Sequence, residues 1–531
     1  MAELKYERPD YVKNFKKPKN TEIKYINGHW YLYEKISYYD KEAKRSKTRS
    51  GTLLGKVTPN GFIPKIAKES SGSETNQMND VVEVGSTRFF YERSAGIRER
   101  LKKYFPDIWQ IIYTIVILRI TQDPHFRRLQ LHFEDSMLSH IFPGVSLSKA
   151  SITGLLDDLG RRREAIRKFM QEDINQGDSF ILCDGHRLIS ASRTMENAEL
   201  GYDSKMRYKP QINVLYMFTL GENTGTPAFY KQYLGSTPDT TAFHDIMKES
   251  DVYGNNCTLV ADKAFSSSID ISDIENCGLN YIIPLKRGNK YVKDRVPDIR
   301  GYTEVFSYHG RGIQSISFTE NDEYTIHLFF DSDLYSEELS DMTKRLEKKN
   351  NAIEHKKCTE EERRKNGKGR LSDEELKELV PISISEMINE NSEMGTITIK
   401  TNRKELNAFQ VYSIYKQRQH IEQAFKTNDC TLEQDASYMR NNYSQEAWLF
   451  LNHIGLKMSI DAIEEISNIG CSKNISFKDL IQTLNKIKAN CINGYWSVVP
   501  VKKTVSKLCR DMDIDISDLS CFDIPAFCSY S

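Results

Sequence analysis

Two short apolar runs do most to limit what this chain can fold into, because each leads directly into an aspartate. They read Phe180-Ile-Leu-Cys-Asp184 and Thr258-Leu-Val-Ala-Asp262. Apolar runs of this length, bounded by polar and turn residues, predict buried strands. Further strand-like runs lie at 212–220, 228–234 and 281–285, and helical patterns at 240–248 and 269–276. The order is three strands, helix, strand, helix, strand. It predicts an α/β fold in which a mixed sheet is flanked by helices. Ligands of open α/β sheets gather at strand ends, so acids placed there can converge on one site. Aspartate is also a preferred cap and turn residue, so either one alone is ordinarily structural.

The segment Tyr415-Lys-Gln-Arg418-Gln-His-Ile-Glu422-Gln-Ala-Phe-Lys426 supplies a third acid. Asn402 followed by Glu405 resembles a capping box, which predicts a long helix from there to about Lys426. Tyr415, Arg418, Glu422 and Lys426 are three, four and four residues apart, so they share one helix face. A surface ladder of ion pairs is the ordinary explanation, at about 0.2–0.5 kcal/mol per pair. Ile414, Ile421 and Phe425 add a neighbouring apolar stripe, so the helix packs with its charged edge in a fixed direction.

Three carboxylates on a sheet-plus-helix scaffold suit hard divalent cations, which take oxygen ligands and retain waters and substrate phosphate oxygens. Two such ions about 4 Å apart activate an attacking water or hydroxyl and stabilise the leaving oxygen of a phosphodiester. Basic neighbours such as Arg418 and Lys426 neutralise the phosphate.

The texture of the chain divides it further. Residues 1–70 are basic and β-rich, with Lys13, Lys16, Lys17 and Lys19 ahead of Lys41, Lys44, Arg45, Lys47 and Arg49. This reads either as a small β unit with basic DNA-contacting loops or as an ordinary β domain with a solvated surface. A polar linker over 70–85 is followed by a helical region, 90–177, in which Ser148 caps a helix containing Ile152, Leu155, Leu156 and Leu159. Segment 178–290 carries the strand–helix alternation, and 396–465 reads as helical, with one helix to about Lys426 and another over 445–466. Between them, 291–395 is β-rich with a basic arm over 343–370, which is either a DNA contact or a solvated loop. The last segment, 466–531, reads as helical.

At 531 residues the chain exceeds one compact domain. Its 74 basic residues are balanced by 74 acidic ones. That excludes a uniformly basic coat protein but not a local cationic face. The ten cysteines are scattered, with no CxxC pair, which argues against a structural zinc site. The first thirty residues are polar, and the apolar run 111–120 is short and contains Arg119. A cytoplasmic protein without a membrane segment is expected.

The run YKQRQHIEQAF resembles the Y-x2-R-x3-E motif of insertion-sequence transposases that form DNA hairpins, a DDE group with an RNase H-like catalytic core. Other segments resemble the same family in order: KYINGHWYLYEKISYYDKEAKRS, DGHRLISASRTMENAELGYDSK, YLGSTPDTTAF, VADKAFSS, FSYHGRGIQSISF and SYMRNNYSQEAWLFLNHIGL. The resemblance runs from about residue 20 to 465. It implies an RNase H-like mixed sheet in two parts, 178–290 and 396–465, interrupted by a β-rich insertion and preceded by a β/helical DNA-binding region. Asp184, Asp262 and Glu422 would be the catalytic triad, binding two Mg²⁺ (or Mn²⁺) ions. Tyr415 and Arg418 would contact DNA near the transposon end, Arg418 on a phosphate. The implied partners are double-stranded DNA, both terminal inverted repeats and target, and a second copy of the chain. The implied activity is nicking, hairpin formation, hairpin opening and strand transfer.

The match has departures. The family's lysine seven residues after the glutamate is Asp429 here, with Lys426 the nearest substitute. None of Trp30, Trp109, Trp448 and Trp496 lies in the insertion, where some relatives hold a flipped base. Tyr302, Phe306 and Tyr308 are the alternative stacking residues. Asp178 is the competing acid for the first position. A catalytically inactive, DNA-binding derivative and an RNase H-like nuclease without strand transfer are the other readings. A helical face of Phe477, Leu480, Ile481, Leu484 and Ile487 is either a dimer interface or internal packing.

Overall fold

The structure is a computed structural model. It describes residues 8–15, 17–26, 28–40, 45–59, 61–64, 80–174, 180–190, 192–202, 208–220, 225–252, 257–263, 266, 268–295, 301–320, 323–418, 436–469, 475–492, 495–516, 519 and 521–522. Two compact units result, Met1–Met78 and Asn79–Ser531.

In the first unit the alternation of apolar and polar residues gives an antiparallel meander. Its strands are β1 (Thr21–Ile26), β2 (His29–Asp40), β3 (Arg45–Thr58) and β4 (Gly61–Pro64). One face buries Trp30, Leu32 and Val57, and Val12 from the short helix Asp10–Lys13 covers them.

In the second unit β5 (Asp80–Glu83) lies where the sequence predicts linker, and precedes a run of helices from Gly85 to Ile174. Ser148 caps the helix Lys149–Arg161 as predicted, accepting from the Ser151 amide. The central strands follow: β6 (Phe180–Ser190), β7 (Glu199–Tyr202), β8 (Tyr208–Leu220), β9 (Gly225–Leu234), β10 (Thr258–Val260) and β11 (Asn280–Pro284). Their spatial order is β9-β8-β6-β10-β11, with β6 antiparallel to β8 and parallel to β10. Gln211 to Phe218 in β8 are all buried, as befits a central strand covered on both faces. This is the RNase H-like mixed sheet expected from the sequence.

The insertion strands β12 (Glu304–Tyr308), β13 (Arg311–Glu320) and β14 (Tyr324–Asp331), with β15 (Thr396–Thr401), continue that sheet, because β15 pairs with both β14 and β11. His309 and Gly310 both have positive φ and close the two-residue β12–β13 turn. Between β14 and β15 the basic stretch is not a loop over most of its length. It belongs to a 34-residue helix, Ser332–Lys365, capped by Asp331.

The helix Asn442–Asn468 is apolar around much of its circumference and buried almost throughout, so other helices pack around it. Gly160 permits one of these contacts: an added Cβ would lie 1.8 Å from the Tyr443 carbonyl oxygen. Near its C-terminus the chain departs from the helical expectation. The helix Phe477–Leu484 stops early, and β16 (Lys488–Ile492) pairs with β17 (Tyr495–Val498) and β5. The apolar face of Phe477, Leu480, Ile481, Leu484 and Ile487 is buried within the chain, so it offers no free dimer interface. Among the described residues no helix is long and apolar enough to cross a membrane.

Candidate active site

The sheet brings the two aspartates together through register. On β6 and β10, Leu182 pairs with Val260. Asp184 and Asp262 each follow two residues later, Asp184 within its strand and Asp262 just beyond the end of β10. Residues two apart share a face of the sheet. Asp184 does not end its strand, as the apolar pattern suggested. β6 continues to Ser190 because its pairing with β8 runs on through Ile189 and Gln211. Only β10 ends before its acid. Asp178, the competing candidate, lies outside the described residues.

The third element is the helix Ala408–Lys416. Asn407 accepts from the Gln410 amide and Gln410 returns the bond, so the capping box sits here and not at Asn402 and Glu405. Asn402 instead accepts from the Tyr281 amide, while Arg403 pairs with Glu405. The helix is anchored by Tyr412, which is fully buried among Phe306, Tyr308 and Phe329. Phe306 and Tyr308 are thereby engaged in packing, and of the three proposed stacking residues Tyr302 alone is 43% exposed.

Beyond this helix, Arg418 reaches both aspartates. Its Nη2 lies 3.1 Å from Asp262 Oδ2 and 4.0 Å from Asp184 Oδ1. Burial opposes the charge on Arg418, but the two carboxylates outweigh it and hold the guanidinium above its ordinary value. One cationic nitrogen therefore sits between two carboxylates, which are the kind of oxygen donor that hard divalent ions take. Tyr415 is partly buried against the core, one turn before Arg418. Glu422 and Lys426 lie outside the described residues, as does Asp429. Among the described residues no group of three His, Cys, Asp or Glu side chains is arranged to hold a metal.

Asp239, which the sequence reading did not single out, supports β6 from the opposite face. It accepts from Asn213 Nδ2 at 2.8 Å and from Arg187 Nη2 at 3.1 Å. A Cβ on Gly185 would lie 2.9 Å from Asp239 Oδ2, so glycine next to Asp184 is what allows this close approach. The available signal was the position of Asp239 between Pro238 and the helix predicted over 240–248, where an acid favours the helix N-terminus.

The family described as Transposase DDE domain matches residues 177–454, just over half of the chain. The chain belongs to that family. The matched span of this DDE transposase encloses Asp184, Asp262, Arg418 and Glu422, together with the insertion. Comparison with curated proteins gives no match. Among solved structures, a piggyBac transposase synaptic complex with hairpin DNA, determined by cryo-EM, is similar at 13% identity and a TM-score of 0.35. The similarity covers 71% of this chain and 70% of that one.

Proposed function

We infer that this DDE transposase cuts and rejoins DNA at the inverted-repeat ends of an insertion sequence, at a metal site formed by Asp184, Asp262 and Glu422. The observation that carries the reading is Arg418 Nη2 lying between the carboxylates of Asp262 and Asp184. Two in-register acids already share a cation, and both remain partly open to solvent. When bound, two Mg²⁺ or Mn²⁺ ions would activate the attacking oxygen and stabilise the leaving one.

The chain's own residues divide the remaining work. Asp184 and Asp262 present carboxylate oxygens from the rigid sheet, and Glu422 would add its carboxylate from the helical side. Arg418 turns from the carboxylates to a phosphate of the transposon end, where its planar fork can bind two oxygens. Tyr415 and Lys426 contact the same DNA. The attacking group is first water and then a DNA 3′-hydroxyl, which leads through a hairpin to strand transfer. Two copies synapse two ends, and the protein acts in the cytoplasm on the cell's DNA.

The test uses purified full-length protein and DNA carrying the inverted repeats that flank its gene. Cleavage and strand transfer in Mg²⁺ are expected from the wild type and not from Asp184→Asn, Asp262→Asn or Glu422→Gln. Wild-type cleavage in any one variant would refute the assignment. Specific binding without cleavage would identify an inactive derivative, the reading that Asp429 favours. Cleavage without joining of pre-cut ends would identify a nuclease.

A further inference from the structure

The first unit carries a charge that the whole chain conceals. Residues 1–78 contain sixteen Lys and Arg against nine Asp and Glu, within a chain of zero net charge. Its small core lies at one end of the sheet, around Trp30, Leu32 and Val57. Register shifts between Leu32 and Lys35 then break the β2–β3 ladder. Shifts of this kind re-aim the strands that follow.

Beyond them β2 and β3 run on as a two-stranded ribbon, from the pair Lys35–Ser50 to the pair Asp40–Arg45. At about 3.4 Å per residue this ribbon is roughly 17 Å long. Alternation places Arg45, Lys47 and Arg49 on one face, opposite Asp40, Tyr38 and Ile36. The other face of β3 carries Ser46 and Thr48. Arg45 and Arg49 are exposed, Lys47 is half-buried, and Ile36 is 40% exposed. From Arg45 to Ser50 neither face of β3 carries an apolar residue that could contribute to a core.

The geometry points to this ribbon as a DNA-reading element that enters the major groove with Arg45, Lys47 and Arg49 against the duplex. The inference rests on the DNA-transposase reading above. A B-form major groove admits a two-stranded β-ribbon, and arginine there can bond guanine O6 and N7 together. The basic row complements the phosphates on the groove walls, which supply sequence-independent attraction. The ribbon belongs to a different unit from the proposed metal ligands, so it would supply end recognition and not chemistry.

The experiment uses the full chain in EDTA with a mixed-sequence DNA duplex several helical turns long. Affinity is measured across a salt series, and protection of guanine N7 from methylation is mapped. For the Arg45→Ala/Lys47→Ala/Arg49→Ala variant, binding is expected to weaken at least about tenfold, the effect of one lost bidentate contact. The dependence of affinity on salt should flatten, and guanine N7 protection should vanish. The Ser46→Ala/Thr48→Ala variant, on the opposite face, should keep both affinity and protection. Equal binding and protection by the triple variant, or no protection by the wild type, would overturn the proposal. Failure of the catalytic reading appears separately, as absence of metal-dependent cutting while ribbon-dependent binding persists.

Discussion

Asp184 and Asp262 stand side by side because each follows, by two residues, the paired Leu182 and Val260 of adjacent parallel strands. Register therefore brings two like charges close together, and Arg418 is the cation between them. A carboxylate pair in that position is costly unless a positive group compensates it.

Removing Arg418 should expose this cost. In metal-free buffer Arg418→Ala should destabilise the protein by about 1 kcal/mol, a modest figure because the three groups are partly exposed. Added Mg²⁺ or Mn²⁺ should raise the thermal midpoint of the variant more than that of the wild type. Equal metal-induced shifts in the two proteins would show that Arg418 and the metal do not share the carboxylates.

Gly185→Ala probes the support behind the site. The added methyl meets Asp239, which Asn213 and Arg187 hold in place. The expected cost is about 1–3 kcal/mol of stability. Cleavage should fall further than the folded fraction, because β6 shifts beside Asp184. Wild-type activity from the folded variant would show that Asp239 plays no part in positioning β6.

Gly160→Ala tests the helical packing. Its methyl would meet backbone atoms of Tyr443, which cannot rotate away. A loss of about 3 kcal/mol or more is expected in denaturant unfolding, above the usual range for overpacking. A change below about 1 kcal/mol would mean that the helices Lys149–Arg161 and Asn442–Asn468 separate easily.

His453 should make stability pH-dependent. Burial pushes it down to about 3, against the pull of nearby Asp173, with Lys457, Arg100 and Arg163 adding to the downward shift. Its ring lies 5.6 Å from that of Tyr230. In the unfolded chain it takes up a proton near pH 6.5, which the folded chain resists. Its contribution is therefore full above about pH 6.5 and declines as the pH falls towards 3. Between pH 7 and pH 5 the wild type should lose about 2 kcal/mol more than His453→Leu. Parallel unfolding curves at the two pH values would contradict this.

The strand–helix order around the site was legible because each central element carries its own signal, as in the unbroken buried run of β8 or the Ser148 cap. The two acids were legible as strand-associated residues, and the motif around Arg418 through family resemblance. Other features depend on partners distant in sequence. Asp184 lies within a strand because the polar residues Gly185 to Arg187 stay paired with β8, which local hydrophobicity does not report. Asn402 looked like a helix cap, but its side chain is taken by the Tyr281 amide. The basic stretch 343–365 has little apolar content, yet its helix is held by an Asp331 cap and packing against the insertion strands. The helical face that begins at Phe477 runs to Ile487 in the sequence, but pairing with β5 draws the chain into a strand from Lys488.

The most direct test of the metal site replaces each proposed ligand with cysteine, whose soft thiolate disfavours Mg²⁺ and tolerates more thiophilic ions. Cleavage of end-bearing DNA by Asp184→Cys, Asp262→Cys and Glu422→Cys is then compared in Mg²⁺ and in Mn²⁺. The account predicts activity abolished in Mg²⁺ and regained in Mn²⁺. Wild-type cleavage in Mg²⁺ by any one of the three would contradict it.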